Sequence, residues 1–327
     1  MRDRRIVFST HPLHPDVTDA LASISDYRVA DRPMPEEIDE GSKGADIIVV
    51  RAPISADIVR RESKLRAMIR HGAGLDMIPV DVATECGVLV GNVPGANART
   101  VAEHVVWCAI SLLRRHPMVN SDLRDGGWEA GRRHADDGRE FSNATLGIIG
   151  LGNIGCELAG IVKRGFGTEV IAYTRSPDRA PPTVEIVALI DLLSRSDIVV
   201  LCCPLTDATH GLIDQAAFQA MKPGAILVNV SRGPIVEENA LLDALDTGKL
   251  SGAALDVFEQ QPLPPDHPIL AMSNVILTPH MAGITDESMM RMGQGVLDHV
   301  KRLLVDQPPE PLINPAALQR FRERFPN

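Results

Sequence analysis

The sequence predicts an α/β protein of two domains, each built around a mostly parallel sheet. The chain has 327 residues, the usual length for two domains, and its 44% hydrophobic and 23% charged residues are typical of a globular protein. Short β-rich runs alternate with amphipathic helical runs along the whole sequence. This alternation favours parallel strands joined by right-handed crossovers, because helices then cover both faces of the sheet.

The first hundred residues contain four clear strand patterns. They are RIVFS (5–9), DIIVV (46–50), RAMIR (66–70) and GVLVGNV (87–93), with helical stretches such as SADIVRRES (55–63) between them. A long helix is expected from about Thr100, TVAEHVVWCAISLLRRH, because Thr100 and Glu103 have the spacing of a capping box. The polar, glycine-rich arm that follows, 121–143, shows no clear periodicity.

A second α/β pattern opens at the apolar strand TLGII (145–149). We therefore expect a central domain over residues 99–285. Residues 1–98 and 286–327 would together form the other, discontinuous domain. The cleft between the domains is the expected active site, since ligand sites prefer such positions.

Charge and cysteine content narrow the class of protein. The net charge of −10 argues against general binding of nucleic acid or anionic membrane, although a local basic pocket remains compatible with an anionic substrate. The opening MRDRRIVFST has no signal-peptide pattern, and the longest apolar run, IVVLCCPL from Ile198, is too short to span a bilayer. Five cysteines without CxxC spacing indicate reduced thiols in a cytoplasmic protein rather than disulfides or a metal site. Cys202 and Cys203 are expected inside a buried strand.

The stretch GLGNIG has the glycine spacing of a dinucleotide-binding turn. Gly150 would form the tight turn, Gly152 would let pyrophosphate approach the backbone, and Gly155 would let helix and strand pack closely. Asn153 and Ile154 then lie at the helix N-terminus, where backbone N–H groups favour phosphate. Because a strand precedes the motif and a helix and a second strand, EVIAY, follow it, the pattern predicts a nicotinamide dinucleotide site.

The end of that second strand bears on the choice between NAD and NADP. An NAD site usually carries Asp or Glu there to bind the adenosine ribose, but this strand ends in Thr174, Arg175 and Ser176. Arg175 can hold a 2′-phosphate by charge-assisted hydrogen bonds, so NADP is favoured while NAD stays possible. The alternative is an arginine that only faces solvent.

Several long motifs, in one order, closely resemble the D-isomer-specific 2-hydroxyacid dehydrogenase family. Besides GLGNIG they are HGAGLDMIPVD (71–81), NVPGANARTVAEH (92–104), CCPLTDATHGLI (202–213), MKPGAILVNVSRGPIVEENALLDAL (221–245), GAALDVF (252–258) and TPHMAG (278–283). The resemblance covers nearly the whole chain. It implies two Rossmann-like domains with parallel sheets, a discontinuous flavodoxin-like substrate domain beside the dinucleotide-binding domain, and a homodimer.

The resemblance also implies roles for individual residues. Arg232, after the apolar strand AILVNV, would bind the substrate carboxylate and polarise the keto oxygen. His280, after NVILT, would donate the proton in reduction and accept it in oxidation. The HGAG turn, His71, Gly72, Ala73 and Gly74, would receive a carboxylate on its backbone N–H groups, with Asn97 at the substrate cleft; a plain glycine-rich strand exit is the alternative. Further cofactor contacts are expected from Cys203, Pro204, Thr209, Val230, Ser231, Asp256 and Gly283.

One position departs from the family pattern. Most members read D-V-F-x-x-E-P, and the glutamate before proline pairs with the catalytic histidine; counting from Asp256, that place falls on Gln261. A carboxylate favours imidazolium, whereas an amide can orient the ring without adding charge. We therefore expect His280 to titrate lower than beside glutamate, so that it supports reduction over a narrower, more acidic range. Glu259 or a water substituting for the carboxylate is the alternative.

The sequence thus predicts an NAD(P)-dependent enzyme of EC class 1.1.1, acting on a small 2-keto acid such as glyoxylate or hydroxypyruvate. Two alternatives stay open. Formate dehydrogenase, in the same superfamily, carries glutamine beside its histidine and transfers hydride without an accompanying proton. The family also includes transcriptional corepressors that use this fold as a nucleotide-sensing module.

Overall fold

A computed structural model describes residues 4–326, which separate into two compact units. One unit contains the residues up to Asn97 together with those from Ile284 onward. The other is continuous, Ala98–Gly283. The boundaries expected from the sequence lie after residues 98 and 285.

The discontinuous unit is built on five parallel strands in the order β2-β1-β3-β4-β5. Every residue of the third strand is buried, because helices cover both faces of the sheet. The elements of this part are β1 (Ile6–Ser9), α1 (Pro15–Ile24), β2 (Asp26–Val29), α2 (Pro35–Gly41), β3 (Ile47–Val50), α3 (Ala56–Arg61), β4 (Ala67–Arg70), α4 (Val80–Glu85) and β5 (Leu89–Asn92). The short, polar β2 has no apolar run and was not expected from the sequence.

The continuous unit is built on seven parallel strands in the order β12-β11-β10-β9-β6-β7-β8. Side chains alternate between two apolar layers, with Leu227 on one face of the sheet and Ile226 and Val228 on the other. Its elements are α5 (Ala98–Leu113), α6 (His116–Arg132), β6 (Thr145–Ile149), α7 (Asn153–Phe166), β7 (Glu169–Tyr173), β8 (Glu185–Ile186), α8 (Leu189–Arg195), β9 (Ile198–Leu201), α9 (Gln215–Ala220), β10 (Ala225–Asn229), α10 (Glu238–Asp246), β11 (Leu250–Leu255) and β12 (Val275–Leu277).

Two helices at the end of the chain complete the discontinuous unit, α11 (Asp286–Leu304) and α12 (Leu318–Arg324). The apolar stripe of α11, including Val296 and Val300, packs in one core with Val17 and Leu21 of α1. Thr285 caps α11 through a hydrogen bond from the Ser288 N–H of 3.2 Å. Short 3₁₀ turns lie at Ala135–Asp137, Phe141–Asn143, Pro177–Arg179, Gly233–Ile235, Pro268–Ala271 and Pro315–Ala317.

Three local expectations were wrong. Helix α5 begins at Ala98, so Thr100 lies inside its first turn and is not the N-cap. Much of the arm after it is helical, because α6 runs to Arg132 with a bend at Gly127, where φ is 79°. Its residues are mainly polar and are interrupted by Gly126, Gly127 and Gly131, so the sequence shows no clear helical period. Pairs such as Arg124 and Asn120, 3.1 Å apart, support the helix. Strand β9 ends at Leu201, so Cys202 and Cys203 follow the strand.

Each sheet has one point where the strand order reverses, and ligands of such folds bind outside the carboxyl ends of the strands at that point. In the continuous unit the reversal falls between β6 and β9, and in the discontinuous unit it falls between β1 and β3. None of the helices formed by residues 4–326 combines the length and the apolar character needed to cross a bilayer.

Candidate active site

The glycine turn after β6 is tightly packed on two sides and open on the third. Gly150 has a φ of 102°, and a Cβ there would lie 2.7 Å from the Cys203 nitrogen. A Cβ on Gly155 would overlap the Gly150 carbonyl oxygen. A Cβ on Gly152, the N-cap of α7, would meet nothing within 4 Å among the described residues. The first and third glycines therefore pack the turn, and the second leaves space in front of the helix N-terminus.

A groove of about 270 Å³ extends from this turn along the carboxyl edge of the sheet. It lies at the reversal between β6 and β9, where a dinucleotide would bind. Arg175 is exposed at its edge, and its charge acts on the Cys203 thiol, whose pKa burial raises. The groove is lined by Ile149, Gly150, Leu151, Gly152, Tyr173, Thr174, Arg175, Ser176, Cys202, Cys203, Pro204, Ala208, Thr209 and Leu212.

These residues fit a nicotinamide dinucleotide. The space in front of Gly152 gives pyrophosphate access to the first N–H groups of α7, around Asn153 and Ile154. No side chain of the described residues caps this helix end, which leaves those donors to a ligand. The residues after β7, Thr174, Arg175 and Ser176, also line the groove, and they follow the strand end at which this fold binds the adenosine ribose.

Two residues expected to contact cofactor use their hydroxyls to shape the groove wall. Thr209 donates to the Pro204 carbonyl at 2.7 Å and accepts from the Thr206 N–H at 2.8 Å. Ser231 donates to the Cys203 carbonyl and is buried. The Thr209 bonds hold the loop after β9 in shape, and the Ser231 bond ties that loop to the loop after β10.

Arg232 lies in a turn fixed by Asn229, the last residue of β10. The Asn229 side chain accepts from the Ser231 N–H at 3.0 Å and donates to the Arg232 carbonyl at 3.0 Å. The half-buried guanidinium of Arg232 donates to the Ser231 carbonyl at 2.6 Å. Val230, between Asn229 and Ser231, is also half-buried.

The buried Asp256 carboxylate holds the segment that carries His280. Its oxygens accept from the Thr278 hydroxyl at 2.6 Å, the Met281 N–H at 2.8 Å and the Ala282 N–H at 3.0 Å. The Asp256 carbonyl accepts from the His280 N–H at 2.8 Å. These bonds stabilise His280 at a φ of 55°, which costs free energy for a non-glycine residue. Asp256, expected as a cofactor contact, is therefore also a support of the histidine segment.

Strand register brings Arg232, Asp256 and His280 to one edge of the sheet. Asn229 pairs with Leu255, and Leu255 pairs with Leu277 on the next strand. Arg232 and His280 each follow the outer paired residue by three positions, and Asp256 follows the central one directly. The carboxyl ends of β10, β11 and β12 thus present an arginine, a buried carboxylate and a histidine side by side.

His280 faces the amide of Gln261. Its Nδ1 lies 3.1 Å from the Gln261 Oε1, and both side chains are exposed. The Gln261 Nε2 donates to the Phe258 carbonyl at 3.4 Å, which turns the amide oxygen toward the ring. An apolar groove of about 640 Å³ adjoins this pair and includes Phe258, Pro262 and Leu277.

The predicted carboxylate-binding turn lies in the other unit, directly after β4. Its carbonyls are engaged: Gly72 accepts from Val93 N–H at 2.9 Å, Ala73 from the Asn92 amide at 2.8 Å, and Gly74 from Arg70 at 3.0 Å. The N–H groups of Ala73 and Gly74 make no hydrogen bond within residues 4–326, so they are available to an anion. Asn97 is the half-buried last residue of the first stretch of this unit, and Gly283 is the half-buried last residue of the continuous unit.

The His71 ring is buried and uncharged near neutral pH. Burial, reinforced by the charges of Arg51 and Arg70, lowers its pKa to about 3. Burial and the same two arginines also lower the pKa of His11. Near neutral pH the cationic groups at the carboxyl ends of β1, β3 and β4 are therefore Arg51 and Arg70, while His11 and His71 are neutral.

Several supporting residues were not found from the sequence. The Asn229 side chain bonds to main-chain atoms of Ser231 and Arg232, and the Gly233 backbone packs against the Phe258 carbonyl. Residue type alone reveals neither contact. His11 and Arg70 carried a usable signal, because each is a charged or titratable residue at the end of an apolar strand pattern. Among residues 4–326, no three His, Cys, Asp or Glu side chains gather into a metal-binding group.

The fold and the groove define a dinucleotide-binding protein of the doubly wound α/β class. Residues 106–282 match the family model described as D-isomer specific 2-hydroxyacid dehydrogenase, NAD binding domain. The chain is 35% identical over 320 residues to a glyoxylate reductase of Aeropyrum pernix, covering 94% of this chain and 95% of the relative. The chain belongs to the D-isomer-specific 2-hydroxyacid dehydrogenase family, as the sequence motifs predicted.

A further relative and a solved structure support the same family assignment. A D-3-phosphoglycerate dehydrogenase of Methanocaldococcus jannaschii is 36% identical over 94% of this chain, and this chain spans 59% of that relative's length. The structure of an NADPH-dependent glyoxylate/hydroxypyruvate reductase from Sinorhizobium meliloti, in complex with citrate, superimposes with a TM-score of 0.84 at 25% identity. That match covers 95% of this chain and 99% of the other. The two-sheet fold predicted from the sequence is confirmed.

Proposed function

We propose that this chain is a nicotinamide-dependent oxidoreductase that interconverts a small 2-keto acid, such as glyoxylate or hydroxypyruvate, and the corresponding D-2-hydroxy acid, mainly as a reductase. The observation that carries the proposal is the placement of Arg232, Asp256 and His280 at the carboxyl ends of three adjacent strands, in the same unit as the dinucleotide groove. Such a site combines a cation, a proton donor and a hydride source, which is what reduction of a 2-keto acid requires.

Arg232 binds the substrate carboxylate and the keto oxygen. Its guanidinium follows the strand end in a turn held by Asn229, so little reorganisation is needed when charge develops on the oxygen. The planar, always charged group suits a carboxylate next to a carbonyl better than an ammonium would.

His280 supplies the proton to the same oxygen. In the protonated ring Nδ1–H would donate to the Gln261 Oε1, 3.1 Å away, and Nε2 would carry the transferred proton. The bound nicotinamide supplies hydride to the carbonyl carbon in reduction and accepts it in oxidation. Proton and hydride together convert the keto group to the hydroxyl, so the balance requires His280 protonated before reduction and neutral before oxidation.

NADPH is the proposed preferred cofactor, with NADH possible. Arg175 at the edge of the groove is the residue that would hold a 2′-phosphate, and the strand end carries no acid that would repel it. The wall of the nicotinamide pocket would come from Cys203, Pro204, Thr209, Val230, Ser231, Asp256 and Gly283.

The turn from His71 to Gly74 and Asn97 would contribute to carboxylate binding. The N–H groups of Ala73 and Gly74 support this role. We also propose a homodimer and a cytoplasmic location. The five cysteines, none of which is in a disulfide, support a reducing compartment, and sedimentation at several concentrations would test the dimer.

Oxidation of NADPH and NADH with a panel of 2-keto acids tests the proposal. We expect turnover with glyoxylate or hydroxypyruvate and a D-2-hydroxy acid product. Gln261 favours one second candidate, oxidation of a simple anion such as formate, because that reaction needs no proton transfer; turnover of formate with NAD⁺ and of no keto acid would establish it. Tight cofactor binding with no turnover of any acid would instead indicate a nucleotide-sensing protein.

A further inference from the structure

We propose that Gly233 and the Phe258 carbonyl position the Gln261 amide, and that this fixes which nitrogen of His280 carries the ring proton. The inference rests on the proposed role of His280 but concerns residues that support it without touching substrate. Gly233 is thus a positioning residue for the proton donor.

Gly233 approaches the loop after β11 closely. A Cβ on Gly233 would overlap the Phe258 carbonyl group and the Glu259 nitrogen. The peptide group between Phe258 and Glu259 therefore rests directly on the Gly233 backbone. Because Gly233 follows Arg232, the same backbone segment that carries the substrate-binding cation also supports this peptide.

A hydrogen bond joins that peptide group to Gln261. The Phe258 carbonyl accepts the hydrogen bond from the Gln261 Nε2 at 3.4 Å. This bond distinguishes the two ends of the amide, since only the NH₂ end can donate to a carbonyl. It is long, so a small displacement of the peptide would break it.

The orientation of the amide then decides which nitrogen of His280 is protonated. With its NH₂ end on Phe258, the amide presents Oε1 to His280 Nδ1 at 3.1 Å, and an oxygen acceptor requires a proton on Nδ1. If the amide rotated, its NH₂ would face Nδ1 and favour the opposite tautomer, with the proton on Nε2. Neutral His280 would then be unable to accept a proton through Nε2 in oxidation.

This support is specific to an amide. A carboxylate presents an acceptor oxygen in either orientation, so a glutamate at this position would not depend on Phe258 to set the tautomer. The Gly233 contact should therefore matter much more with Gln261 than with glutamate.

Nitrogen-15 NMR of labelled histidine reads the tautomer without relying on turnover, with His280→Asn used to assign the signal. We expect the neutral His280 ring of the wild-type protein to carry its proton on Nδ1. A proton on Nε2 would overturn the proposal. Absence of turnover with the expected tautomer in place would refute the proposed function and leave the positioning role standing.

A double-mutant cycle tests the role of Gly233. We expect Gly233→Ala to lower kcat about 10- to 100-fold in the wild-type background, because a small misplacement of a catalytic group has effects of this size. In the Gln261→Glu background the loss should be about twofold, with KM little changed in both. Equal losses in the two backgrounds would reject the coupling.

Gly252→Ala is the matched control, because a Cβ there would lie 2.6 Å from the Asn274 carbonyl on the same unit. It should cost stability without moving the tautomer. If Gly233→Ala does not fold, Gln261→Asn decides, because the shorter side chain cannot reach both Phe258 and His280. A mixture of tautomers is expected in that variant, and an unchanged Nδ1–H tautomer would contradict the proposal.

Discussion

The glycine turn at Gly150–Gly155 and the loop from Phe258 to Gln261 lie in the same unit but contact their partners in different ways. The turn works through backbone geometry: Gly150 and Gly155 are packed against backbone, and Gly152 leaves space in front of a helix N-terminus. The loop works through one side chain, whose amide faces His280 at 3.1 Å. A backbone site tolerates almost any side chain outside its glycines, whereas the loop changes its chemistry when one oxygen is replaced by NH₂.

Gly155→Ala tests the backbone site and should have the largest effect. The added Cβ would overlap the Gly150 carbonyl, so the turn must open, and we expect cofactor affinity to fall about 10- to 100-fold for an overpacking cost of about 1–3 kcal/mol. Fluorescence titration with NADPH and NADH measures it. Gly165→Ala, in the same helix but with nothing within 4 Å of the new Cβ among the described residues, is the control and should bind both cofactors normally. Equal behaviour of the two variants would contradict the role of the turn.

Arg175→Asp tests the side-chain contact proposed for the 2′-phosphate of NADPH. Removing a charge-assisted bond and adding an acid should lower the ratio of kcat/KM for NADPH over NADH about 10- to 100-fold. Arg164→Asp, an exposed charge change at the far end of α7, should leave the ratio unchanged. Steady-state kinetics with both cofactors measures it, and an unaltered ratio in Arg175→Asp would exclude this arginine from cofactor selection.

His71→Gln tests the electrostatics of the other unit. Because the folded-state pKa of His71, about 3, lies below the value of 6.5 for an unperturbed histidine, the unfolded chain binds a proton that the folded chain does not between those values. This imbalance makes the wild-type protein lose stability as pH falls from about 6.5 toward 3. The variant should lose less stability over that range, as measured by denaturant unfolding at pH 7.5 and pH 5. Equal losses of stability in the two proteins would show that folding does not lower the pKa of His71.

Sequence reasoning worked where local pattern decides structure. The strand TLGII and the strand EVIAY were predicted to the residue, and the order of strand, glycine turn and helix located the groove. It failed for α6, because that helix is mainly polar, interrupted by glycines and bent at Gly127. It also missed the supports of the loop from Phe258 to Gln261, since the contact between Gly233 and Phe258 joins backbone atoms that are distant in the chain.

The departure at Gln261 was visible in the sequence, but its geometry was not. Motif counting placed Gln261 opposite His280, and the 3.1 Å contact agrees with that pairing. Which end of the amide faces the ring depends on the Phe258 carbonyl, and no residue pattern encodes that choice.

The pH–rate profile of the wild-type protein against Gln261→Glu tests the central claim most directly. In the proposed mechanism reduction requires protonated His280, so its rate should decline as pH rises. A neighbouring carboxylate favours the protonated form, and the decline should therefore move to higher pH by about one unit in the Gln261→Glu variant. The rate of oxidation, which in the same mechanism requires the neutral ring, should also begin to rise about one pH unit higher in the variant. Gln260→Glu, the same charge change on the adjacent exposed residue, is the control and should follow the wild type. If the wild-type and Gln261→Glu profiles coincide, the neutral amide does not set the proton chemistry of this site.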